Sequence, residues 1–346
     1  MEPKKAVITP AQFFIILFLS RAALLIFVST RELGGECFVE GIFSCALGLA
    51  AGFLLTVPIW LPQKGERPLS RPAALVYLVY LIITNGAFLG LFQIFLQDTV
   101  NPEFSASLTM VLLLGTAVYG AWRGIECVAR CGVCVFAFFV LGAALVYFIV
   151  LFRFDSANLR PLFYDGPKQT FKGAYNFLAH TTVFADMAIL WPQVKGRKTG
   201  GFFSWAAGLL LFTGATLLLI AGCLGPYAGI QNFPLYALSS LTEVRSMQRV
   251  DAVFIGVWMM ALVIRLSAAL YAARVCIDAM GGRKAGLAAV LAGTGMLLFA
   301  FLTAELRQVR EILLDPTVLL VSLIIVVTIL PLIRKKGGRA RAKKNL

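Results

Sequence analysis

The 346-residue chain is 60% hydrophobic and 14% charged, with a mean hydropathy of +0.86; soluble domains are nearer half apolar and a quarter charged. The apolar excess is gathered into long runs, which excludes a soluble globule and reads as an all-α polytopic membrane protein. The net charge of +14 argues for no nucleic-acid partner, because most of the basic residues sit in short loops and in the C-terminal tail.

Ten apolar spans are expected, over approximately 11–29, 38–60, 73–97, 106–122, 132–152, 171–191, 202–224, 251–273, 285–303 and 316–333, each near the ~20 residues that cross a bilayer. The first run is long and no small-residue cleavage site follows it, so it reads as a retained membrane helix rather than a signal peptide. Polar clusters such as Leu61 to Pro68 and Lys195 to Gly201 separate the spans. With the N-terminus in the cytoplasm, twenty of the 31 basic residues fall on the cytoplasmic side and nine outside, with Arg21 and Arg265 inside spans. That bias places both termini in the cytoplasm. The basic tail 334–346 is expected to lie against anionic membrane lipid.

The chain reads as a single transmembrane domain, residues 1–346 including the tail. The linker 153–170 divides it into halves of about 11–152 and 171–333. That is the spacing of a five-plus-five inverted repeat, in which spans one and six are interrupted at a central site. The stretch Pro234 to Met247 is too polar and short to span and reads as a re-entrant or surface helix. Of the seven cysteines, Cys45, Cys134 and Cys223 lie in apolar runs and read as small hydrophobes. The pair Cys131-x-x-Cys134 has no second ligand pair that would make a metal site. No paired carboxylate, phosphate-binding glycine loop or nucleophile with a histidine at readable spacing occurs, so neither an enzyme nor a cofactor is expected.

Charge inside a bilayer is costly and marks function by default. The intramembrane ionisable set is Arg21 in span one, His180 and Asp186 in span six, and Arg265 in span eight. One carboxylate cannot neutralise two arginines. Either both arginines are struts bonded to carbonyls at broken helices, or one receives a carboxylate from outside in bidentate fashion. Span six is polar in its middle, and a break around Ala179 to Thr182 would bring His180 and Asp186 to one cavity. Asn85 and Gln93 of span three share a face and either reach that cavity or bond between helices. The candidate ligand-binding set is Ser20, Arg21, Ala22, Gln93, His180, Thr181, Thr182, Asp186 and Arg265.

Several blocks carry a resemblance: Ile8-Thr9-Pro10-Ala11-Gln12-Phe13-Phe14; Asn158-Leu159-Arg160-Pro161-Leu162; Phe233-Pro234-Leu235-Tyr236-Ala237-Leu238; Arg249-Val250-Asp251-Ala252-Val253-Phe254 leading to Trp258; and Leu270-Tyr271-Ala272-Ala273. Together they resemble the spore germination permeases, the B subunits of nutrient germinant receptors of endospore-forming bacteria, in the amino acid–polyamine–organocation transporter superfamily. The resemblance implies a ten-helix, five-plus-five inverted repeat with broken helices one and six around a ligand site. It also implies a spore inner membrane location and A- and C-type receptor subunits as partners. The chain departs from the family in helix one, where Ser20-Arg21-Ala22-Ala23-Leu24-Leu25 lacks the family's glycine break, and Arg21 stands in for the exposed amides. Asp186, six residues before Pro192, matches the family's helix-six acid. Arg265 resembles a basic residue of family helix eight and would replace the cation of sodium-coupled relatives, so no sodium dependence is expected. Three functions remain open on this reading: a nutrient-sensing receptor subunit that binds a small ligand such as an amino acid, a secondary transporter of amino acids or similar solutes, and a structural receptor subunit with a degenerate cavity.

Overall fold

A computed structural model describes residues 7–27, 38–60, 69–99, 105–160, 166–196, 198–241, 250–282 and 285–331. The tail 334–346, and the part of the expected surface helix beyond residue 241, lie outside the described residues.

The first helix, α1 (Pro10–Ala22), starts where its sequence places three start signals together. Thr9 is the N-cap, Pro10 fills the first turn, and Gln12 closes a capping box in which the Gln12 N–H donates to Thr9 Oγ1 and Gln12 Oε1 accepts from the Thr9 N–H. The preceding strand residue is pinned to the far side of span six: the Ile8 N–H donates to Gln193 O at 3.2 Å and the Lys195 N–H to Ile8 O at 3.1 Å. After Ala22 the chain tightens into a 3-10 turn over Leu25–Phe27.

Long helices follow: α2 (Phe38–Trp60), α3 (Arg71–Thr99), α4 (Ala106–Arg123) and α5 (Ile125–Leu151). A 3-10 turn at Ser156–Leu159 leads to α6 (Pro167–Ala179), and α7 (Val183–Leu190) resumes after a break of three residues. Then come α8 (Thr199–Leu224), the short α9 (Pro234–Ser240), α10 (Val250–Ala279), α11 (Ala285–Glu305), α12 (Arg307–Leu313) and α13 (Pro316–Ile324). The last helix runs on through a π turn at Ile325–Ile329. Its extra carbonyl is used, since the Tyr77 hydroxyl donates to Val326 O at 2.7 Å.

Among the described residues, seven helices are long and apolar enough to cross a membrane: α1 with its 3-10 extension, α2, α3, α5, α8, α10 and α11. The α12–α13 pair, bent by 45°, makes eight if counted as one span. The count of ten rests on adding α4 and the α6–α7 pair. Helix α5 begins seven residues before the expected span at 132, because Glu126 and Arg130 lie on its solvent-side first turns. Helix α12 falls in a segment that reads as a loop in the sequence.

The helices differ in depth. Two-thirds (67%) of the apolar window of α1 and of α10 is buried, against 22% for α5, so α1 and α10 are central and α5 is peripheral. Helix pairing has a pattern. Helix α3 packs on α11 and α10 on α4; α2 packs on α6 and α8 on α1; α1 packs on α5 and α6 on α13; α2 packs on α8 and α3 on α10. Glycines permit the closest approach: a Cβ at Gly86 would lie 2.7 Å from Met296 O, and one at Gly90 would lie 2.5 Å from Ala300 O. This is the small-xxx-small spacing that lets membrane helices meet backbone to backbone.

Candidate functional site

The site forms where α1 and α6 both stop being regular. The Leu24 N–H bonds Arg21 O, three residues back, and the Ser20 carbonyl takes a guanidinium N–H from Arg265 Nη1 at 3.1 Å instead. In span six, α6 ends at Ala179 and α7 starts at Val183, so the break falls on His180, Thr181 and Thr182, within the expected interval. Helix ends leave carbonyls without intrahelical partners. Here the Thr181 hydroxyl takes one, donating to Phe177 O at 2.6 Å, while His180 Nδ1 lies 2.8 Å from Asn176 O, which also accepts the His180 backbone N–H at 3.1 Å.

Two arginines converge on that break. Arg21 is fully buried; its Nε donates to Thr181 Oγ1 at 3.2 Å, and its guanidinium lies over the Phe177 ring, 4.4 Å from the centroid. Arg265, 1% exposed, donates through Nη2 to Thr182 Oγ1 at 2.9 Å and through Nη1 to Ser20 O, and lies 5.4 Å from the Phe88 centroid. Spans one, six and eight are thereby joined through two threonines and one carbonyl.

The arginines are not equivalent. Both terminal nitrogens of Arg265 are engaged and only its Nε has no partner. Arg21 is the reverse: its Nε is held, and Nη1 and Nη2 are buried without a partner. A guanidinium anchored at Nε presents its terminal nitrogens side by side, the fork that matches a carboxylate.

Asp186 pairs with neither arginine. Asp186 is 2% exposed, and no ion pair within 4.0 Å joins it to either arginine among the described residues. The reason is local: the break offers Arg265 a freed carbonyl and a hydroxyl, and Arg265 uses them. Asp186 Oδ1 is buried without a partner. Asp186 lies within electrostatic reach of Arg265 and of Tyr80, whose buried hydroxyl also lacks a partner. Tyr80 was not legible as a site residue; its aromatic surroundings in α3 read as ordinary core. Ser20 Oγ is buried and unpartnered too. Ala22 is buried at the last turn of α1.

Two expected residues stand apart. No hydrogen bond or ion pair joins His180 to Asp186; the imidazole turns back to cap α6 and meets Phe88 edge-on at 6.4 Å. Gln93 Nε2 donates to Ser107 Oγ at 3.2 Å, an inter-helix bond between α3 and the first turn of α4; its Oε1 is buried without a partner, and no hydrogen bond links it to the arginines. The Asn85 amide likewise bonds its own helix, at Leu81 O. Among the described residues no cluster of three or more metal-ligating side chains occurs.

Comparison with known proteins bears on this geometry. The model of the spore germination protein family (Spore_permease) matches residues 62–309, which includes Thr181, Thr182, Asp186 and Arg265 but not Arg21. No curated protein sequence matches the chain. Among solved structures, a Na+-coupled sialic acid symporter in a substrate-bound outward-open state is similar in fold, with a TM-score of 0.64 at 12% identity over 88% of this chain and 76% of that one. The likeness is to a permease-type, multi-pass membrane fold rather than to an enzyme.

Proposed function

The chain belongs to the spore germination protein family, and from that premise we propose that it is the ligand-binding membrane subunit of a nutrient germinant receptor. In this reading an amino acid enters between α1, the α6–α7 break and α10. Its carboxylate takes the free fork of Arg21, and its ammonium faces Asp186 Oδ1. The observation that carries the reading is the contrast between the arginines: Arg265 is consumed by protein and Arg21 keeps two buried donors. Leaving buried charged donors unmet costs free energy that a ligand anion recovers.

Occupancy would bias the bundle because Arg21 also holds Thr181 at the break, so a ligand that binds one arrangement better shifts the population toward it. The change would pass to A- and C-type subunits in the spore inner membrane, with both termini of this chain cytoplasmic. The helix pairing supports ten spans in a five-plus-five repeat: exchanging each span with the one five later turns α3–α11 into α10–α4, α2–α6 into α8–α1 and α1–α5 into α6–α13.

The test is nutrient-triggered germination in spores carrying Arg21→Ala. Loss of the response to amino acid, with normal membrane levels of the subunit, is expected. An unchanged dose response would remove Arg21 from the site. A second reading, secondary transport of an amino acid or similar solute, draws on the likeness to a symporter fold. Concentrative uptake into proteoliposomes holding the chain alone would favour it, and uptake without a sodium gradient would fit Arg265 in place of a coupling cation.

A further inference from the structure

A second candidate site lies at the end of the bundle where α2 and α6 both begin, away from the arginines. A groove of about 480 Å³ opens there, lined by Glu40, Phe43 and Leu47 of α2 and by Gly166, Pro167, Thr170 and Phe171 at the start of α6. Its walls are apolar and its rim faces outward: Phe43 is 52% exposed, Leu47 41% and Phe171 65%. Such rings on a membrane-crossing helix face lipid.

One polar group is set into that wall. Glu40 is 2% exposed. Its Oε1 accepts from the Gly166 N–H at 3.1 Å, capping the N-terminus of α6, where Gly166 has no side chain to do so. Its Oε2 is buried and has no partner. Capping explains one oxygen only. A second carboxyl oxygen buried beside hydrocarbon is costly unless a donor meets it. On the neighbouring face of α6, Lys168 and Lys172 are exposed, next in sequence to the lining residues Pro167 and Phe171. Acceptor inside, cations at the mouth and an apolar trough between match the polarity of a zwitterionic lipid: ammonium inward, phosphate at the lysines and the α6 N-terminus, acyl chain along Phe43, Leu47 and Phe171.

We propose that this groove holds a membrane lipid with a primary-ammonium headgroup, phosphatidylethanolamine in chemical class, hydrogen-bonded to Glu40 Oε2. The occupant would act on the arginine cluster through a rigid lever. Ser44 Oγ donates to Thr170 O at 2.9 Å beside the groove, and α6 runs from there to the break that carries Thr181 and Thr182. The inference does not depend on which solute, if any, the arginines bind.

The experiment is thermal unfolding of the full chain in detergent micelles doped with one lipid at a time. Phosphatidylethanolamine is expected to raise the midpoint by roughly 5 °C near saturation. Phosphatidylglycerol of the same chains lacks the ammonium, and phosphatidylcholine cannot donate a hydrogen bond from its quaternary nitrogen; each should give less than half that shift. Glu40→Gln keeps an oxygen for the Gly166 N–H but points an amide at the ammonium, and should lose most of the shift. Leu47→Trp fills the trough without touching the Glu40 cap and should lose it as well. Equal shifts from phosphatidylglycerol, or full shifts in both variants, would overturn the proposal. An equal shift from water-soluble phosphoethanolamine would overturn the lipid as occupant.

Discussion

The α3–α11 seam and the break between α6 and α7 bring backbones together inside a membrane by opposite means. At the seam, Gly86 and Gly90 remove side chains so that α3 lies against the carbonyls of Met296 and Ala300. Shape alone specifies it, and no charge takes part. At the break the backbone ladder is interrupted, and side chains take up freed carbonyls there and at the facing end of α1: Thr181 at Phe177 and Arg265 at Ser20. At the seam an uncharged group is left over, the Thr303 hydroxyl beside Gly90, buried without a partner. The break retains capacity, in Arg21 Nη1 and Nη2, Asp186 Oδ1, Ser20 Oγ and Tyr80 Oη. Close packing makes a scaffold, and the break leaves charged groups unmet; α3 serves both, carrying Gly86 and Gly90 at the seam and Tyr80 beside Asp186.

The sharpest way to break that contrast is at the seam. Gly90→Val drives a branched side chain into the Ala300 carbonyl, which is backbone and cannot step aside. The expected cost is ~3 kcal/mol or more, read as loss of monodisperse protein on size exclusion. At the break, Arg265→Leu takes a donor from Ser20 O and from Thr182 at once. A loss of about 2 kcal/mol in unfolding free energy is expected, and an unchanged melting temperature would show that Arg265 is not the strut described.

Thr181→Val keeps the shape but deletes the bond to Phe177 O and the anchor of Arg21 Nε. About 1 kcal/mol is expected, together with a weaker nutrient response, because the Arg21 fork loses its fixed orientation. Arg21→Met should have the smallest effect on stability, within roughly 1 kcal/mol of zero and of either sign, since it removes a buried charge whose terminal donors protein does not meet. The same variant should abolish stabilisation by amino acid. A large destabilisation from Arg21→Met would make Arg21 a second strut and erase the distinction between the arginines.

Much of the candidate site is legible in the sequence. Charged residues in apolar runs stand out because bilayer burial makes them expensive, and Arg21, Asp186 and Arg265 do meet in one buried region. The break at 180–182 was legible because Asn, His and Thr cluster there without glycine or proline. Gln93 is read by the same logic but bonds Ser107 through Nε2, with its Oε1 buried without a partner, because which neighbour a polar side chain meets depends on how the helices pack. Tyr80 and Glu40 were missed for a common reason. A tyrosine in an aromatic helix and a glutamate in the first turn of a span both look ordinary until the orphaned atom is seen.

The sequence by itself determined that this chain is a multi-pass helical membrane protein, where its helices are interrupted, and which ionisable residues lie in the membrane. Hydropathy and the cost of intramembrane charge are local properties, readable one segment at a time. Only the tertiary structure decided which arginine is spent and which is free. That choice depends on Arg265 reaching a carbonyl 245 residues away and Arg21 a hydroxyl 160 residues away. A guanidinium bonds whichever acceptor the packing of three helices brings within about 3 Å, and no pattern along the chain encodes that.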